Sequence, residues 1–463
     1  MIGNIGLIAG LALLIFLALR GTNILFSSLL ASLVIVVTNQ LPLAASFTEY
    51  YPFGPLGAFT FAGKFFLLFA CGAMFGNVIG KSHAASSIAI ALANKLGPHR
   101  VLWIVTLSCA LLTYGGVVVF VVIFSIYPLG LKLAEQANIP KRLLVAAMAL
   151  GAGTFTLSAM PGTPSIQNVI PTVVLGTDLF AGAFLGIFGG MIMFVLGIWY
   201  LERQRISSHA SGEVFIPSPS DQLLPADGDP LIEHNDYPDW KLALLPILIV
   251  LSAILAPRII KGIASEAVTT ADSAFYQLVN FASSQVILWP SIALFFGSII
   301  ALILFPAVRY QPLKVMGDGV MNSILPLIST AVVIGFGGVV VHTAGFGQFS
   351  NFVLNLDMPP LLSMFAAVNL NSALVGSASG GLQIFMQTMA PDYLAMGISP
   401  GVLHRLAAMS SGGFDSLPHC GAIIALLTVT GMTHKQAYKD IGIITVVIPV
   451  IATLSTIAVV SII

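Results

Sequence analysis

AAMALGAGTFTLSAMPGTPSIQN, Ala146 to Asn168, begins as an apolar helix and breaks into proline, glycine, serine and threonine. Its opening hexad returns as AAMSSG at Ala407 to Gly412, which runs into its own break, GGFDSLPHCG. FGNV at Phe75 to Val78 likewise returns as FGGV at Phe336 to Val339, and both pairs are 261 positions apart (336−75 and 407−146). One spacing therefore relates two long halves. A hydrophobic chain built from two equivalent halves, each with a broken helix, has the pattern of a secondary transporter, in which two bundles move around one site near the bilayer midplane.

Composition agrees. Of 463 residues 57% are hydrophobic and 8% charged, against about 25% charged in an ordinary soluble domain. Apolar runs long enough to span occur at Asn4 to Leu19, Ile24 to Asn39, Phe59 to Gly80, Trp240 to Pro257, Gln285 to Phe305, Asp318 to Val340 and Ile441 to Ile462. With the segments between them they predict an all-α polytopic membrane protein of about ten membrane helices plus two re-entrant hairpins. The N-terminus lacks a basic region and a small-residue cleavage site, so it reads as a first span and not as a signal. With that terminus outside, 14 of the 18 Lys and Arg residues fall on the cytoplasmic side, leaving Lys64, Arg258, Lys261 and Arg405 elsewhere. The positive-inside rule then predicts both termini extracytoplasmic, provided two stretches enter and leave on one side. The halves are expected to be inverted repeats at 1–201 and 240–463, joined by a polar, flexible cytoplasmic linker at 202–239.

Those two stretches are 101–131 and 359–391. The first is broken at Thr113, Tyr114, Gly115 and Gly116, and the second by NSALVGSASGG, which offers Asn371, Ser372, Gly376, Ser377 and Ser379. Irregular backbone survives at membrane depth only where protein or a water-filled cavity satisfies its amides, so hairpin tips of this kind line a site. Each hairpin follows a less apolar segment, Ser82 to Leu96 or Thr343 to Leu356, suited to a helix along the membrane surface. Each precedes an interrupted span, 141–176 or 403–431.

The interruptions carry the chemistry. Pro161 and Pro164 cannot donate backbone hydrogen bonds, and Gly162, Gly412 and Gly413 permit non-helical turns. A half-helix N-terminus then presents free amides to a carboxylate, while unwound carbonyls suit a small cation. Ser158, Thr163, Gln167, Asn168, Ser411 and Ser416 add hydroxyl and amide contacts. Eight of the 18 acidic residues lie in the linker, others in connecting segments or at span ends, leaving Asp415 alone at mid-membrane depth. A lone carboxyl there has its pKa raised by desolvation and can carry a proton; alternatively Asp415 caps the second half-helix through amides around Leu417 and stays ionised. His419, four residues on, could share the proton or touch substrate.

No Arg or Lys falls in either break or tip, which argues against a polyanionic substrate and for a small monocarboxylate bearing hydroxyls. No metal cluster, nucleophile with base, nucleotide motif or nucleic-acid patch is present, and no cofactor is expected. An intramembrane aspartyl protease would need a second membrane carboxylate beside Asp415, and a channel or the membrane subunit of a pump would need a continuous polar pore or an energy-coupling partner; the chain has no P-loop signature. Cys71, Cys109 and Cys420 read as small buried hydrophobes.

AMALGAGTFTLSAMPGTPSIQNVIPT, Ala147 to Thr172, and SSGGFDSLPHCGAIIALLTVTGMTHKQAYKDI, Ser410 to Ile441, resemble the gluconate permease family of bacterial proton symporters within the ion transporter superfamily. The resemblance runs over almost the whole chain. It implies a homodimeric inner-membrane transporter with scaffold and transport domains moving as an elevator, the tips and interrupted helices surrounding the substrate. Members carry gluconate and related sugar acids, D-serine or 3-hydroxybutyrate. The Ser-Asn-Thr signatures that bind sodium in the related dicarboxylate carriers are missing at both tips, which favours the proton as coupling ion, with sodium on unwound carbonyls as the alternative. Gluconate and 3-hydroxybutyrate both stand as substrates.

Overall fold

The computed structural model describes residues 2–218, 221, 237–263 and 274–462, which are helical with no strand among them. In chain order the longer helices of the first half are α1 Ile2–Leu19, α2 Ile24–Thr38, α3 Ala58–Lys81, α4 Ala84–Leu96, α5 Val101–Tyr114, α6 Val119–Gln136, α7 Lys141–Gly153, α8 Ile166–Leu175 and α9 Ala183–Ala210. The second half has α10 Trp240–Ile263, α11 Ala274–Ser284, α12 Leu288–Leu304, α13 Pro312–Val340, α14 Ala344–Leu354, α15 Pro360–Val375, α16 Ala378–Thr388, α17 Pro400–Ser411, α18 Gly421–Val429, α19 His434–Gly442 and α20 Ile448–Val460. Among the described residues six helices are long and apolar enough to cross a membrane, or up to eight if each bent pair is one span. That is fewer than the ten expected, because α1 and α2 fall among the shorter apolar helices. The span read at Gln285 to Phe305 is α12 alone, with α11 bent away from it by 106°.

The doubled FGNV and FGGV lie in α3 and α13, and these two helices run antiparallel. Lys81 pairs with Asp318 at 2.7 Å, Asn77 Nδ2 donates to Val315 O at 2.7 Å, and at the other end Gly335 lies against Tyr51 and Ala58. Glycine permits the approach: a Cβ on Gly319 would sit 2.6 Å from the Met74 Cα, and one on Gly335 2.6 Å from the Tyr51 carbonyl. The motif glycines have matching roles. Gly76 faces Val117 and Val121 of the first hairpin, and Gly337 faces Ile384 of the second. Both motif phenylalanines, Phe75 and Phe336, are buried.

The stretches 101–131 and 359–391 each fold as two helices joined by a turn. α5 and α6 turn at Gly115–Val118, where Gly116 has φ +91°; α15 and α16 turn at Gly376, φ +61°, with Ser377 capping α16. Helicity is also interrupted in the stretches 141–176 and 403–431. α7 continues as a π-helical turn, Phe155–Ala159, then loses helicity until α8. α17 ends at Ser411, a 3₁₀ turn covers Phe414–Ser416, and α18 follows with the two parts bent by 58°.

The linker departs from expectation. The boundary at 201/202 falls inside α9, and the chain beyond that helix folds back onto the helix ends. Arg142 holds Glu213 with Nε and Nη2 at 2.8 and 2.7 Å, and Asp440 with Nη1 at 2.6 Å. Asp440, read from sequence as part of a connection, is buried and also accepts from Tyr200 Oη at 2.7 Å. Lys141 Nζ meets both Asp221 oxygens at 2.8 and 2.6 Å, Tyr127 Oη donates to Asp221 Oδ1 at 2.7 Å, and Ser218 Oγ donates to the Gly431 carbonyl at 3.0 Å. Asp227, Asp229, Glu233, Asp236, Glu266 and Asp272 lie outside the described residues.

Arg142 holds the Glu213 carboxyl below its usual pKa. A depressed folded pKa means this contact stabilises fully above the unfolded value of about 4.3 and is lost as the pH falls through the folded one. The Lys141–Asp221 pair is the stronger clamp, its side chains 2% and 5% exposed. Asp221→Asn leaves a buried ammonium without its counter-charge and costs about 3–5 kcal/mol. Glu202→Gln breaks a partly exposed pair with Arg205 and costs less than about 1 kcal/mol. Melting of the purified protein in detergent checks this; equal midpoints for the two variants would show that the linker is not clamped.

Candidate functional site

Each hairpin tip lies on the break of its own half. In the first half Tyr114 Oη donates to the Pro161 carbonyl at 2.9 Å, and Gly116 packs against Pro164. Gly162 has φ +83°, and a Cβ there would lie 2.6 Å from the Phe180 ring, so only glycine fits. Its N–H donates to Leu179 O at 2.8 Å. In the second half His419 Nε2 donates to the Ala373 carbonyl at 2.9 Å, its ring lying against Gly376. Phe414 N donates to Asn369 Oδ1 at 3.1 Å. The two breaks meet where Ser158 touches Gly412, and α8 packs against α16 and α17.

Polar atoms at this meeting point fall into two groups. Some are consumed by the protein: Ser158 donates to Thr154 O, Ser411 to Ala408 O, and Ser377 faces Ser379. Asn168 Nδ2 donates to Thr163 O at 2.8 Å and Leu179 O at 2.9 Å, which leaves Oδ1 to accept from His404 Nε2 at 2.9 Å. His404 Nδ1 then accepts from Thr177 Oγ1 at 2.7 Å, because a neutral imidazole donates from one nitrogen only. Others have no partner. Of eight buried side-chain atoms lacking a hydrogen bond among the described residues, five belong to candidate residues named from sequence: Thr113 Oγ1, Thr163 Oγ1, Gln167 Oε1, Asn371 Oδ1 and Ser372 Oγ. Buried polar atoms are almost always paired, so each of these exceptions is an atom with hydrogen-bonding capacity left over. Asn371 and Ser372 stand toward the seam between the hairpin arms, the former 3.9 Å from Met389 Sδ and the latter against Gly381.

Asp415 lies in the 3₁₀ turn, half-buried, and its Oδ1 accepts from Ser416 Oγ at 3.0 Å. The helix that follows, α18, starts at Gly421, five residues beyond this turn. Tyr438 Oη and His434 Nε2 donate to the Ser416 and Pro418 carbonyls at 3.0 and 2.8 Å and hold the segment from behind.

Five contributors escaped the sequence reading: Asn369, His404, Arg405, His434 and Tyr438. A histidine and an arginine side by side in an otherwise apolar helix are a signal in their own right. Arg405 is fully buried and donates to the carbonyls of Ala159 at 2.9 Å, Leu179 at 3.2 Å and Ala181 at 3.0 and 2.8 Å.

Comparison with known proteins is consistent throughout. A transporter of uncharacterized function from Bacillus subtilis (strain 168), YxjC, is 35% identical over 459 residues, covering 95% of both chains. Another uncharacterized transporter, from Haemophilus influenzae, is 28% identical over 138 residues, covering 28% of this chain and 30% of that one. Among solved structures the YdaH transporter of Alcanivorax borkumensis superposes with a TM-score of 0.52 at 14% identity, over 91% of this chain and 88% of that one, a likeness of fold alone. The family model of the GntP permeases matches residues 4–463. The chain therefore belongs to the GntP permease family: it is a multi-pass membrane transporter and not an enzyme.

Proposed function

We propose that this permease is a secondary active transporter that takes a small hydroxy-monocarboxylate, gluconate or a related sugar acid or 3-hydroxybutyrate, into the cell together with protons. The observation that carries the proposal is the group of unpartnered buried hydroxyl and amide atoms at the tips and the first break. Hydroxyls and amide oxygens are the complement of a hydroxylated acid, and neither break contains Lys or Arg to balance further substrate charge. The antiparallel course of α3 and α13, which carry the same motif, supports two inverted repeats. On this proposal the tips and breaks form the transport domain, which slides as an elevator against a scaffold in a homodimer of the inner membrane, both termini extracytoplasmic.

Uptake of labelled gluconate and of labelled 3-hydroxybutyrate into proteoliposomes, under an inward proton gradient, an inward sodium gradient or none, tests it. Accumulation of one acid only under the proton gradient is the expected outcome. Accumulation under sodium alone would replace the coupling ion, and movement of neither acid would reject the substrate class.

A further inference from the structure

Among the described residues Arg405 is the largest fully buried side chain, and it has no carboxylate within ion-pair distance. Carbonyl oxygens offset part of the cost of burying a guanidinium, but a buried cation without a counter-charge remains expensive and is kept where it has work to do. Its position says what that work is. Ala159, whose carbonyl it holds, is the last residue before the first break. The Leu179 carbonyl takes a hydrogen bond from Arg405 Nη2, from Asn168 Nδ2 and from Gly162 N, at 3.2, 2.9 and 2.8 Å. The charge is thus one carbonyl away from the unwound backbone.

In front of that backbone lies the N-terminus of α8, ten residues long, with no side chain capping its amides. Two buried side-chain atoms of the same turn have no partner: Thr163 Oγ1, on a residue 1% exposed, and Gln167 Oε1, on a residue 5% exposed. A hydroxyl can donate to a carboxylate, whereas an amide oxygen can only accept and so needs a donor such as an alcohol. A fixed cation behind, free amides and a hydroxyl in front, and an acceptor one turn along describe the head of a hydroxy acid.

Building on the proposed function, we propose that Arg405, without touching substrate, is the positioning charge that makes the first break the carboxylate subsite, with Gln167 Oε1 receiving a substrate hydroxyl. Arg405 acts through the field it adds to the α8 N-terminus, which water-poor surroundings screen weakly. A purely structural arginine would staple three carbonyls and leave charge selectivity alone.

The test uses the full chain in proteoliposomes and compares how gluconate and its uncharged amide, gluconamide, inhibit counterflow of labelled gluconate; 3-hydroxybutyrate and its amide form a parallel pair. Wild type prefers the acid. Arg405→Gln narrows the acid-to-amide ratio at least about tenfold, about 1.4 kcal/mol, while amide inhibition persists. Ala181→Asp leaves the arginine in place, sets a neutralising carboxylate beside it, and narrows the ratio in the same way, so it decides the matter if Arg405→Gln does not fold. An unchanged ratio in a folded variant overturns the inference, as does a wild type that takes acid and amide alike while still exchanging gluconate or 3-hydroxybutyrate. A wild type that exchanges neither acid rejects the underlying function and the inference with it.

Discussion

Under the proposed proton coupling, Asp415→Asn abolishes accumulation against a gradient and leaves counterflow intact. The carboxyl stands in the break of a membrane helix, beside Ser416 Oγ and with no cation in ion-pair range among the described residues. It stands apart from the next helix, since α18 begins five residues after Phe414–Ser416, at Gly421. A carboxyl without a cation partner can gain and lose a proton without breaking an ion pair. Asparagine has the same shape and can still accept from Ser416, so substrate binding and the alternation of the loaded carrier persist. It cannot carry the proton. With one proton per substrate, a difference of one pH unit supports about tenfold accumulation; the variant brings this to equality across the membrane. Gradient-driven uptake and counterflow in the same vesicles check it. If Asp415→Asn accumulates substrate as wild type does, the proton travels elsewhere, and His419 is a poor substitute because its Nε2 hydrogen is committed to the Ala373 carbonyl at 2.9 Å.

The parts of this architecture that sequence reveals are those written in single residues or short periods. Pro161, Pro164 and Gly162 break a helix wherever they stand, and Gly116 and Gly376 turn the chain because positive φ admits little else. The recurrence of FGNV as FGGV was equally legible, since Gly76 and Gly337 each seat a hairpin arm. What stayed hidden depends on partners distant in the chain. The Arg405 partners Ala159, Leu179 and Ala181 contribute only carbonyls, which every residue has, so no side chain announces them. The clamp on Asp221 fails to show for a related reason: proline, serine and acidic residues read as solvated linker, and only the fold brings Lys141 and Tyr127 to that carboxylate. Asn168 illustrates the converse error in emphasis. Its amide suits a substrate, but inside the protein all its polar atoms are engaged by Thr163, Leu179 and His404.

Gly376→Ala halts transport, whereas Gly397→Ala does not, although both glycines have left-handed backbone, φ +61° and +91°. Left-handed backbone costs any residue with a Cβ roughly 1–2 kcal/mol, so strain alone weakens both variants comparably. Surroundings separate them. Nothing lies within 4 Å of a Cβ on Gly397, while one on Gly376 would meet His419 Cδ2 at 2.7 Å and Nε2 at 3.1 Å. His419 cannot retreat and keep its hydrogen bond to Ala373, on the same hairpin arm as Gly376. The added methyl therefore separates tip from break, the contact that closes the second half of the site. Transport falls more than about tenfold in Gly376→Ala, while Gly397→Ala loses some thermal stability and keeps its rate. Removing the ring should relieve the clash: Gly376→Ala with His419→Ala transports no worse than His419→Ala alone, a positive coupling between neighbours. Equal rates for the two single glycine variants would mean that the tip need not stay on His419 for the carrier to cycle.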